Sequence, residues 1–544
     1  MSGTENGNER RSDPDLDPVA LEVLRNQLEG VAEEMGQVLV RGAYSPNIKE
    51  RRDCSTALFD ADGRMVAQAE HIPVHLGAMP EAVAAVRARD PVPGEVWALN
   101  DPFAGGTHLP DVTLVSPLSP AGADSTVGYA VSRAHHADVG GSTPGSMPAG
   151  AREIHEEGTR IPGVRLVRDG EIADDVLDFF LANVRTPDER RADLRAQLAA
   201  HDRAKARLAD LLAEHGEAVL DAFDAVIDYS RERMESELAA IPDGTYEAGG
   251  VLEGDGVTDK DIPIEVSVAV DGPTLTVDFA ETADQVAGNL NAPPAVAKSA
   301  VYFVVRSVTD PEIPPNQGCY DPVTVIAPEG SLLDPDPPAA VVGGNVETSQ
   351  RVTDVTFAAL AEAVPDRVPA GGQGTMNNLV VGSRTGEFAY YETIGGGSGA
   401  TGTADGMDGV QVGMTNTLNT PVEVLEAEYP LRVDRYALRP GTGGDGEYRG
   451  GLGLERALTV LRPATVSLLT ERRRTRPRGV AGGEDGATGQ NLIDGETVSA
   501  KATVDVESGA TVTVRTPGGG GHGDPADRDP EARKRDRRDG KAEE

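Results

Sequence analysis

Histidine is unevenly distributed along this chain, and its distribution is the strongest constraint that the sequence places on the fold. The 544 residues contain nine histidines, and most of them lie between residues 71 and 155. Two polar segments combine histidine, aspartate and glycine most densely: NDPFAGGTHLPD at 100–111 and SRAHHADVGG at 132–141. If these side chains act together, the chain has to fold so that the two segments meet.

Short apolar segments lie before and between these polar segments, and they predict β-strands at 96–99, 112–115 and 127–131. A β-hairpin is predicted upstream, where 55–59 and 64–68 flank an Asp-Gly turn. The downstream ends of the strands lead into the segments that carry the histidines. We therefore expect the candidate site at strand ends, where a rigid scaffold usually presents functional side chains.

Helices and strands alternate through the rest of the chain, which predicts an α+β fold. Apolar residues at three- and four-residue steps indicate an amphipathic helix that begins at Pro18. Helical spacing recurs over 80–89, 172–240, 294–308 and 349–363, whereas 264–270 and 275–279 alternate as strands do. Within 172–240, a coiled-coil partner helix is the less economical alternative.

Composition divides the chain into five parts. We predict a disordered N-terminus (1–17), a metal-site α+β region with a helical segment (18–243), an α/β central region (244–425), a β-rich C-terminal region (426–525) and a disordered charged tail (526–544). The two ends are assigned to disorder because they offer almost nothing apolar to bury.

The net charge excludes two classes of partner. With 50 basic and 89 acidic residues the formal charge is -39, which repels nucleic acid and anionic membranes. An acidic surface of this kind fits a halophilic cytoplasm, where salt screens the self-repulsion. We find no run of apolar residues long enough to span a bilayer, no signal-peptide pattern and only two distant cysteines. These features predict a cytoplasmic protein.

The pair His108 and Asp111 indicates a metal site. Proline lies between them, so the imidazole and the carboxylate form a stiff local pair. Either His135 or His136, together with Asp53, would complete the ligand set, and nitrogen and oxygen ligands suit Zn²⁺, Mn²⁺ or Fe²⁺. Such an ion would polarise a carbonyl and acidify a bound water. The alternative is that these side chains only cap turns and hold glycine loops.

Other candidate features are interpreted as structural. His71 and His75 are four residues apart, but Pro73 argues against a regular helix, so we treat them as supporting residues. Glycine-rich segments at 395–399, 441–446 and 518–522 lack a phosphate-binding signature and are interpreted as turns. Cys54 and Cys319 are interpreted as buried thiols rather than nucleophiles.

Several segments, in order, resemble the hydantoinase B family. They are 100–111, 132–141, GNLNAP at 288–293, IPPNQGC at 313–319 and TPGGGGHGDP at 516–525. That family includes N-methylhydantoinase B, the acetone carboxylase alpha subunit and the C-terminal part of 5-oxoprolinase. The resemblance extends from about Pro18 to Pro525 and adds a function to the chemistry of the residues.

The resemblance implies a metal-dependent B-type subunit of an ATP-dependent hydrolase that opens a hydantoin or 5-oxoproline ring. ATP and Mg²⁺ would bind to a hydantoinase A-like partner, which phosphorylates the amide oxygen. The implied metal ligands are Asp53, His108, Asp111 and His135, and the family pattern His-x-x-Asp-Val/Ile-Gly-Gly selects His135 over His136.

The same resemblance implies two supporting acidic residues and leaves two other functions open. Asp138 and Glu153 would orient ligands or move protons. The first alternative function is an acetone carboxylase-like ligase, whose alpha subunit is generally longer than this chain. The second is a non-enzymatic structural or regulatory partner.

Overall fold

The computed structural model describes residues 17–120 and 125–542. The disorder expected for residues 1–16 lies outside these ranges, and Asp17 caps the first helix by accepting hydrogen bonds from the backbone N–H groups of Val19 and Ala20. The α-helices are α1 (Pro18–Gly42), α2 (Pro46–Lys49), α3 (Met79–Arg87), α4 (Asp174–Leu181), α5 (Pro187–His215), α6 (Ala218–Leu238), α7 (Pro294–Val308), α8 (Gln317–Tyr320), α9 (Ser349–Ala363), α10 (Val422–Glu428) and α11 (Pro530–Arg538). A π-helical turn, Gly344–Thr348, leads directly into α9.

The strands form four sheets. They are β1 (Cys54–Asp60), β2 (Met65–Glu70), β3 (Val96–Leu99), β4 (Asp111–Leu118), β5 (Gly128–His135), β6 (Val164–Arg168), β7 (Glu171–Ile172), β8 (Gly244–Glu253), β9 (Asp261–Asp271), β10 (Thr274–Asp278), β11 (Val323–Ile326), β12 (Asn378–Ser383), β13 (Ala389–Glu392), β14 (Leu431–Leu438), β15 (Leu454–Val460), β16 (Ala464–Leu469), β17 (Gln490–Ile493), β18 (Glu496–Val498), β19 (Lys501–Val506) and β20 (Thr511–Arg515). The predicted α+β class is confirmed.

A seven-stranded sheet in the order β2-β1-β5-β4-β3-β6-β7 positions the candidate site. Its central strands β1, β4 and β5 are buried along their whole length because both faces of the sheet are covered. Helices α1, α5 and α6 pack on one face, and α3, α7 and the sheet of β8–β11 pack on the other. In α1 the apolar residues Leu24, Leu28, Val31 and Met35 all point into this core, each contributing about 2 kcal/mol by burial.

In the C-terminal half, strand pairing crosses residue 425. Strands β12 and β13 pair with β16 and β19 in a single sheet, in the order β13-β12-β16-β19, although a boundary was expected between 244–425 and 426–525. The other expected boundary, at 243–244, falls between α6 and β8. Long-range strand pairing of this kind leaves no local mark in a sequence, because it depends on contacts between distant segments.

The glycine-rich segments pack against one another rather than forming the turns that were expected. Gly519 donates a hydrogen bond to Gly451 O, and Gly444 donates one to Gly519 O, at 2.9 and 2.8 Å. A Cβ atom on Gly397, Gly450 or Gly519 would lie within about 2 Å of a neighbouring carbonyl oxygen. None of these three has a positive φ angle, so glycine is needed here for close backbone approach.

The structure also differs from the disorder expected for 526–544, of which residues 543 and 544 are not described. Helix α11 begins after Asp529, whose side chain caps it. Arg528 forms a bidentate pair with Asp405, at 2.7 and 2.9 Å, and a further bond to Asp536 at 2.6 Å. Ion pairs, rather than apolar burial, hold this segment, so a prediction based on hydrophobicity misses it.

His201 provides a test of the packing of α5 on the sheet. It is fully buried, with Ser116 Oγ 2.7 Å from Nδ1 and Ser132 Oγ 2.9 Å from Nε2. Burial, with a smaller effect of Lys205, lowers its pKa to about 3. The unfolded chain therefore binds a proton below its ordinary pKa of about 6.5, whereas the folded chain does not, and stability is lost as the pH falls below that value.

We expect His201→Gln to lose this pH dependence. The unfolding free energy of the wild type should fall by about 2 kcal/mol more than that of the variant between about pH 7 and about pH 5. Urea unfolding at the two pH values measures the difference. His215→Gln is the control, because this histidine lies on the same helix but is only partly buried. Parallel slopes for wild type and His201→Gln would contradict a buried neutral imidazole.

Candidate metal centre

Strand register brings the candidate residues together at one end of the large sheet. Asp111 is the first residue of β4 and lies directly opposite His135, the last residue of β5. Asp53 immediately precedes β1, which pairs with the other edge of β5, and its carbonyl oxygen accepts a hydrogen bond from His135 N at 3.0 Å. Three adjacent strands thus converge on one point, which lies at the downstream end of β5 and at the upstream ends of β1 and β4, whereas the sequence predicted downstream ends alone.

Asp111 is the centre of the cluster. Its Oδ1 lies 2.8 Å from His108 Nε2 and 3.1 Å from His135 Nδ1. All three side chains are buried, and each can offer one ligand atom within 4.8 Å of the other two. Because metal–nitrogen and metal–oxygen bonds are about 2.0–2.2 Å, the ligands of one ion lie about 3–3.5 Å apart, and the two histidine–aspartate distances of 2.8 and 3.1 Å are close to that spacing.

His75 is a fourth member of the cluster, although the sequence predicted only a supporting role for it. Its Nε2 lies 3.3 Å from Asp111 Oδ2, and its Nδ1 lies 3.0 Å from Ser55 Oγ. Pro73 does exclude an α-helix, as expected, but it begins a 3-10 turn, Pro73–His75, that directs His75 into the cluster. His71 instead lies over Gly36 of α1, so the two histidines are separated.

The donor set of the cluster, one carboxylate and several imidazole nitrogens, suits a divalent cation. Among the described residues, His108 Nδ1 and His135 Nε2, the ring nitrogens that do not face Asp111, have no hydrogen-bond partner. Asn345 Nδ2 lies 3.2 Å from His108 Nε2, the nitrogen that also faces Asp111. When His108 Nε2 accepts a hydrogen bond from the Asn345 amide, this nitrogen carries no hydrogen and cannot donate to Asp111. A cation would then stabilise the unprotonated nitrogen beside the Asp111 carboxylate.

The electrostatics of the cluster lower the pKa values of both Asp111 and His108. Burial on its own would raise the pKa of Asp111, but the charge and hydrogen bond of His108, with the hydrogen bonds of His135 and His75, hold it well below its usual value. Burial lowers the pKa of His108, against the opposing effect of Asp111. A carboxylate and unprotonated histidines are the forms that bind metal.

His135 and His136 point in different directions. His135 stacks on Tyr391 with ring centroids 4.6 Å apart and an interplanar angle of 17°. His136 Nε2 lies 3.0 Å from Gln197 Oε1 on α5, which covers the opposite face of the sheet. Because successive residues of a strand alternate between faces, only His135 shares a face with Asp111. The geometry therefore supports the choice between the two that the resemblance implied.

Asp53, Asp138 and Glu153 stand apart from the trio of His108, Asp111 and His135. Asp53 is buried and its charge acts on His108, yet it is not a member of the closest group. Asp138 is committed to its own loop, since its carboxylate accepts from Gly140 N, Gly145 N and Arg185. Glu153 is exposed, before the short turn Ile154–Glu156.

Residues from the C-terminal half complete the site, and no motif had indicated them. Tyr391 OH donates to Asn378 Oδ1 at 2.9 Å, and Asn378 Nδ2 donates to Glu347 Oε1 at 3.0 Å. Burial raises the pKa of Glu347 to about 8, with the charge of Glu471 adding to the effect. This buried chain runs from His135 into the π-helical turn that also carries Asn345.

Glu157 is a second buried acid that the sequence interpretation overlooked in favour of Glu153. Its Oε1 accepts hydrogen bonds from Val341 N and Val342 N, each at 2.9 Å. Burial raises its pKa to about 8. The carboxyl therefore ties the loop after β5 to the segment before Asn345, and it holds a proton at neutral pH.

Comparison with known proteins places this chain in a family. The model of the hydantoinase B/oxoprolinase family matches residues 17–525. The chain is 40% identical over 527 residues to an uncharacterised protein of Methanocaldococcus jannaschii, covering 94% of this chain and 92% of that one. It is 33% identical over 548 residues to a putative D-/L-hydantoinase B-type subunit of a Pseudomonas species, covering 95% and 91%.

A longer relative is 5-oxoprolinase of Dictyostelium discoideum, which is 37% identical over 521 residues. The alignment covers 94% of this chain but only 40% of that enzyme, so the chain spans about two fifths of its length. Two solved structures share the fold. An ATP-dependent caprolactamase from Pseudomonas jessenii has a TM-score of 0.89 at 29% identity, covering 97% of this chain and 95% of that one.

The second structure is an acetone carboxylase with a TM-score of 0.87 at 19% identity, covering 97% of this chain and 78% of that one. At that identity the likeness concerns the fold alone. The match of the family model over nearly the whole chain carries the classification. This chain belongs to the hydantoinase B/oxoprolinase family.

Proposed function

We propose that this chain is the metal-dependent B-type subunit of an ATP-dependent hydrolase that opens cyclic amides of the hydantoin or 5-oxoproline type. The observation that carries the proposal is the buried convergence of His108, Asp111 and His135 in a chain of this family. Relatives named as a 5-oxoprolinase and as the B-type subunit of a hydantoinase, and the fold shared with a caprolactamase, support the choice of cyclic amides.

The trio, with His75 and Asp53 as the further candidate ligands, would hold Zn²⁺, Mn²⁺ or Fe²⁺. Such an ion, when bound, polarises a carbonyl and acidifies water. Asp111 supplies the negative charge and fixes the orientations of His108 and His135 through its Oδ1. Tyr391 forms an apolar wall against His135, and its hydroxyl is held by Asn378.

Two protonated acids support the centre without adding charge to it. Glu347 holds Asn378, and Glu157 holds the backbone before Asn345. Because each has a pKa of about 8, each is mainly neutral at neutral pH and can donate a hydrogen bond. Asp138 keeps the loop 139–146 in place through its bonds to Gly140 and Gly145. Asp138 and Glu153 would therefore act from outside the cluster.

ATP is assigned to a hydantoinase A-like partner in this proposal. In this chain the glycine-rich segments pack against one another through their backbones. Separately, no helix among the described residues is both long and apolar enough to cross a membrane. The partner would phosphorylate the amide oxygen, and ring opening would then release phosphate, a carboxylate and an amine. Net hydrolysis of one amide bond is coupled to hydrolysis of one ATP.

Reconstitution with an A-type partner tests the proposal. We expect ATP turnover that depends on 5-oxoproline or a hydantoin, with ring-opened product formed in proportion, and no turnover with acetone and bicarbonate. The same preparation assayed with His108→Ala should form no product. Carboxylation of acetone would favour the ligase alternative, and full activity of His108→Ala would contradict a catalytic role for this chain.

A further inference from the structure

Gln197 is a fully buried polar side chain of α5 that bonds to both of the strands that carry candidate ligands. Its Nε2 donates to Val112 O on β4 at 3.0 Å and to Ser132 Oγ on β5 at 3.3 Å. Its Oε1 lies 3.0 Å from Nε2 of His136, the residue that follows β5. The side chain therefore ties α5 to β4, to β5 and to the loop that leaves β5.

The orientation of the Gln197 amide follows from its partners. A backbone carbonyl oxygen can only accept a hydrogen bond, so the amide nitrogen must face Val112 O. The amide oxygen then faces His136 Nε2, and this ring nitrogen has to carry the hydrogen. Both N–H groups and the oxygen of the amide are therefore used, and together these bonds fix the position of the side chain.

Two of these contacts are made to the chain neighbours of candidate metal ligands. Val112 follows Asp111, and His136 follows His135. Asp111 and His135 form the last facing pair of the β4–β5 ladder, and strand ends open more readily than strand centres. Successive residues of a strand alternate between faces, so Gln197 holds the two neighbours from the α5 side while both candidate ligands face the cluster.

The spacing of metal ligands is sensitive to small movements of these strand ends. Metal–ligand distances have to lie within about 0.2 Å of their usual values, and a functional site has to be held within about 0.5 Å of its working geometry. The peptide unit is rigid, so a displacement of Val112 or His136 moves the preceding residue as well. Fixing these neighbours therefore limits the relative movement of Asp111 Oδ1 and His135 Nδ1, which lie 3.1 Å apart.

We propose that Gln197 is a positioning residue for the candidate metal centre, which holds the ends of β4 and β5 so that Asp111 and His135 stay at ligand spacing. Its hydrogen bonds all lie outside the trio, so its effect is on metal affinity and ligand geometry rather than on a chemical step. The inference rests on the proposed function only in that the centre has to bind a divalent metal ion.

His201 is a matched residue that separates positioning from packing. It lies one turn after Gln197 on the same face of α5. It is also fully buried, and it bonds to β4 and β5 through Ser116 and Ser132. Those serines lie five and three residues along their strands from the candidate ligands. Substitution of His201 should therefore weaken the packing of α5 without releasing the ligand end of the sheet.

The metal affinity of the purified full-length chain tests the inference. Competition with a chelator measures the affinity for Zn²⁺, and the absorption spectrum of bound Co²⁺ reports the ligand geometry. We expect Gln197→Met to bind Zn²⁺ about tenfold more weakly than the wild type, as for other residues that orient metal ligands, and to change the Co²⁺ spectrum. His201→Gln should match the wild type in both measurements. Urea unfolding of the metal-free proteins measures stability separately.

A double variant keeps the test decisive if Gln197→Met is too unstable to fold. In Gln197→Met/His136→Leu both partners of the buried hydrogen bond are apolar, so no unsatisfied imidazole remains and stability should recover. The affinity for Zn²⁺ should stay about tenfold below the wild type, because the tie to the strand ends is still absent.

The outcomes separate this inference from the proposed function. Wild-type affinity in the folded single or double variant, or equal weakening in His201→Gln, would overturn the role of Gln197 and leave the proposed function standing. A folded wild type that binds neither Zn²⁺ nor Co²⁺ would reject the metal centre and this inference together.

Discussion

Asp111→Asn should abolish ring opening, with a loss of activity of about 100-fold or more. The substitution keeps the shape of the side chain and removes the charge that faces His75, His108 and His135. Substitution of a residue that only supports a metal ligand commonly lowers metal affinity or activity 10- to 100-fold. Loss of a ligand itself should lower activity at least as much. Steady-state rates of the reconstituted complex provide the measurement.

The control for Asp111→Asn is Glu153→Gln. Glu153 is exposed and lies outside the cluster. We therefore expect the activity of the Glu153→Gln variant to stay within about twofold of the wild type, because surface substitutions generally have small effects. A large loss in Glu153→Gln would show that the proton-transfer role implied by the family resemblance is correct. Unchanged activity in Asp111→Asn would contradict the proposed centre.

Gly519→Ala should destabilise the fold by about 3 kcal/mol or more. A Cβ atom on Gly519 would lie 1.9 Å from Ser398 O and 2.4 Å from Ser398 C. Ser398 O accepts a hydrogen bond from Gly451 N at 2.9 Å, and Gly519 is itself bonded to Gly451 and Gly444, so neither backbone segment can move away without breaking hydrogen bonds. Backbone clashes of this kind cannot be relieved by a change of side-chain rotamer. The midpoint of urea unfolding measures the effect.

The control is Gly30→Ala. Gly30 lies inside α1, and nothing lies within 4 Å of the position its Cβ would take. Alanine has a higher helix propensity than glycine, so this variant should be unchanged or stabilised by up to about 1 kcal/mol. If Gly519→Ala unfolded at the same midpoint as Gly30→Ala, close packing of the glycine segments would be ruled out.

The sequence predicted what depends on local pattern. Helix α1 begins at Pro18, α7 spans Pro294–Val308 and α9 spans Ser349–Ala363, all as apolar spacing and proline indicated. The pairing of Asp111 with His135 was also within reach, because two strands joined by one loop usually lie side by side. The separation of His135 from His136 was also within reach, because successive residues of a strand point to opposite faces of the sheet.

Residues from distant parts of the chain escaped prediction because their roles arise only from packing. Asn345, Asn378 and Tyr391 reach the cluster from more than 200 residues beyond His108 along the chain, and none lies in a motif with a known chemistry. His75 was set aside because its spacing from His71 suggested an α-helix that Pro73 forbids. Instead, Pro73 begins a 3-10 turn that carries His75 into the cluster. The direction in which such a turn presents its side chains is evident only from the structure.

We expect His135, and not His136, to bind a divalent metal ion together with His108 and Asp111. Metal analysis of purified wild type, His135→Ala and His136→Ala tests it most directly, with folding of each variant checked by circular dichroism. We predict about one equivalent of a transition metal in the wild type and in His136→Ala, and a large loss in His135→Ala. Metal retained in His135→Ala but lost in His136→Ala, or absent from the wild type after incubation with Zn²⁺, Mn²⁺ and Fe²⁺, would contradict the account.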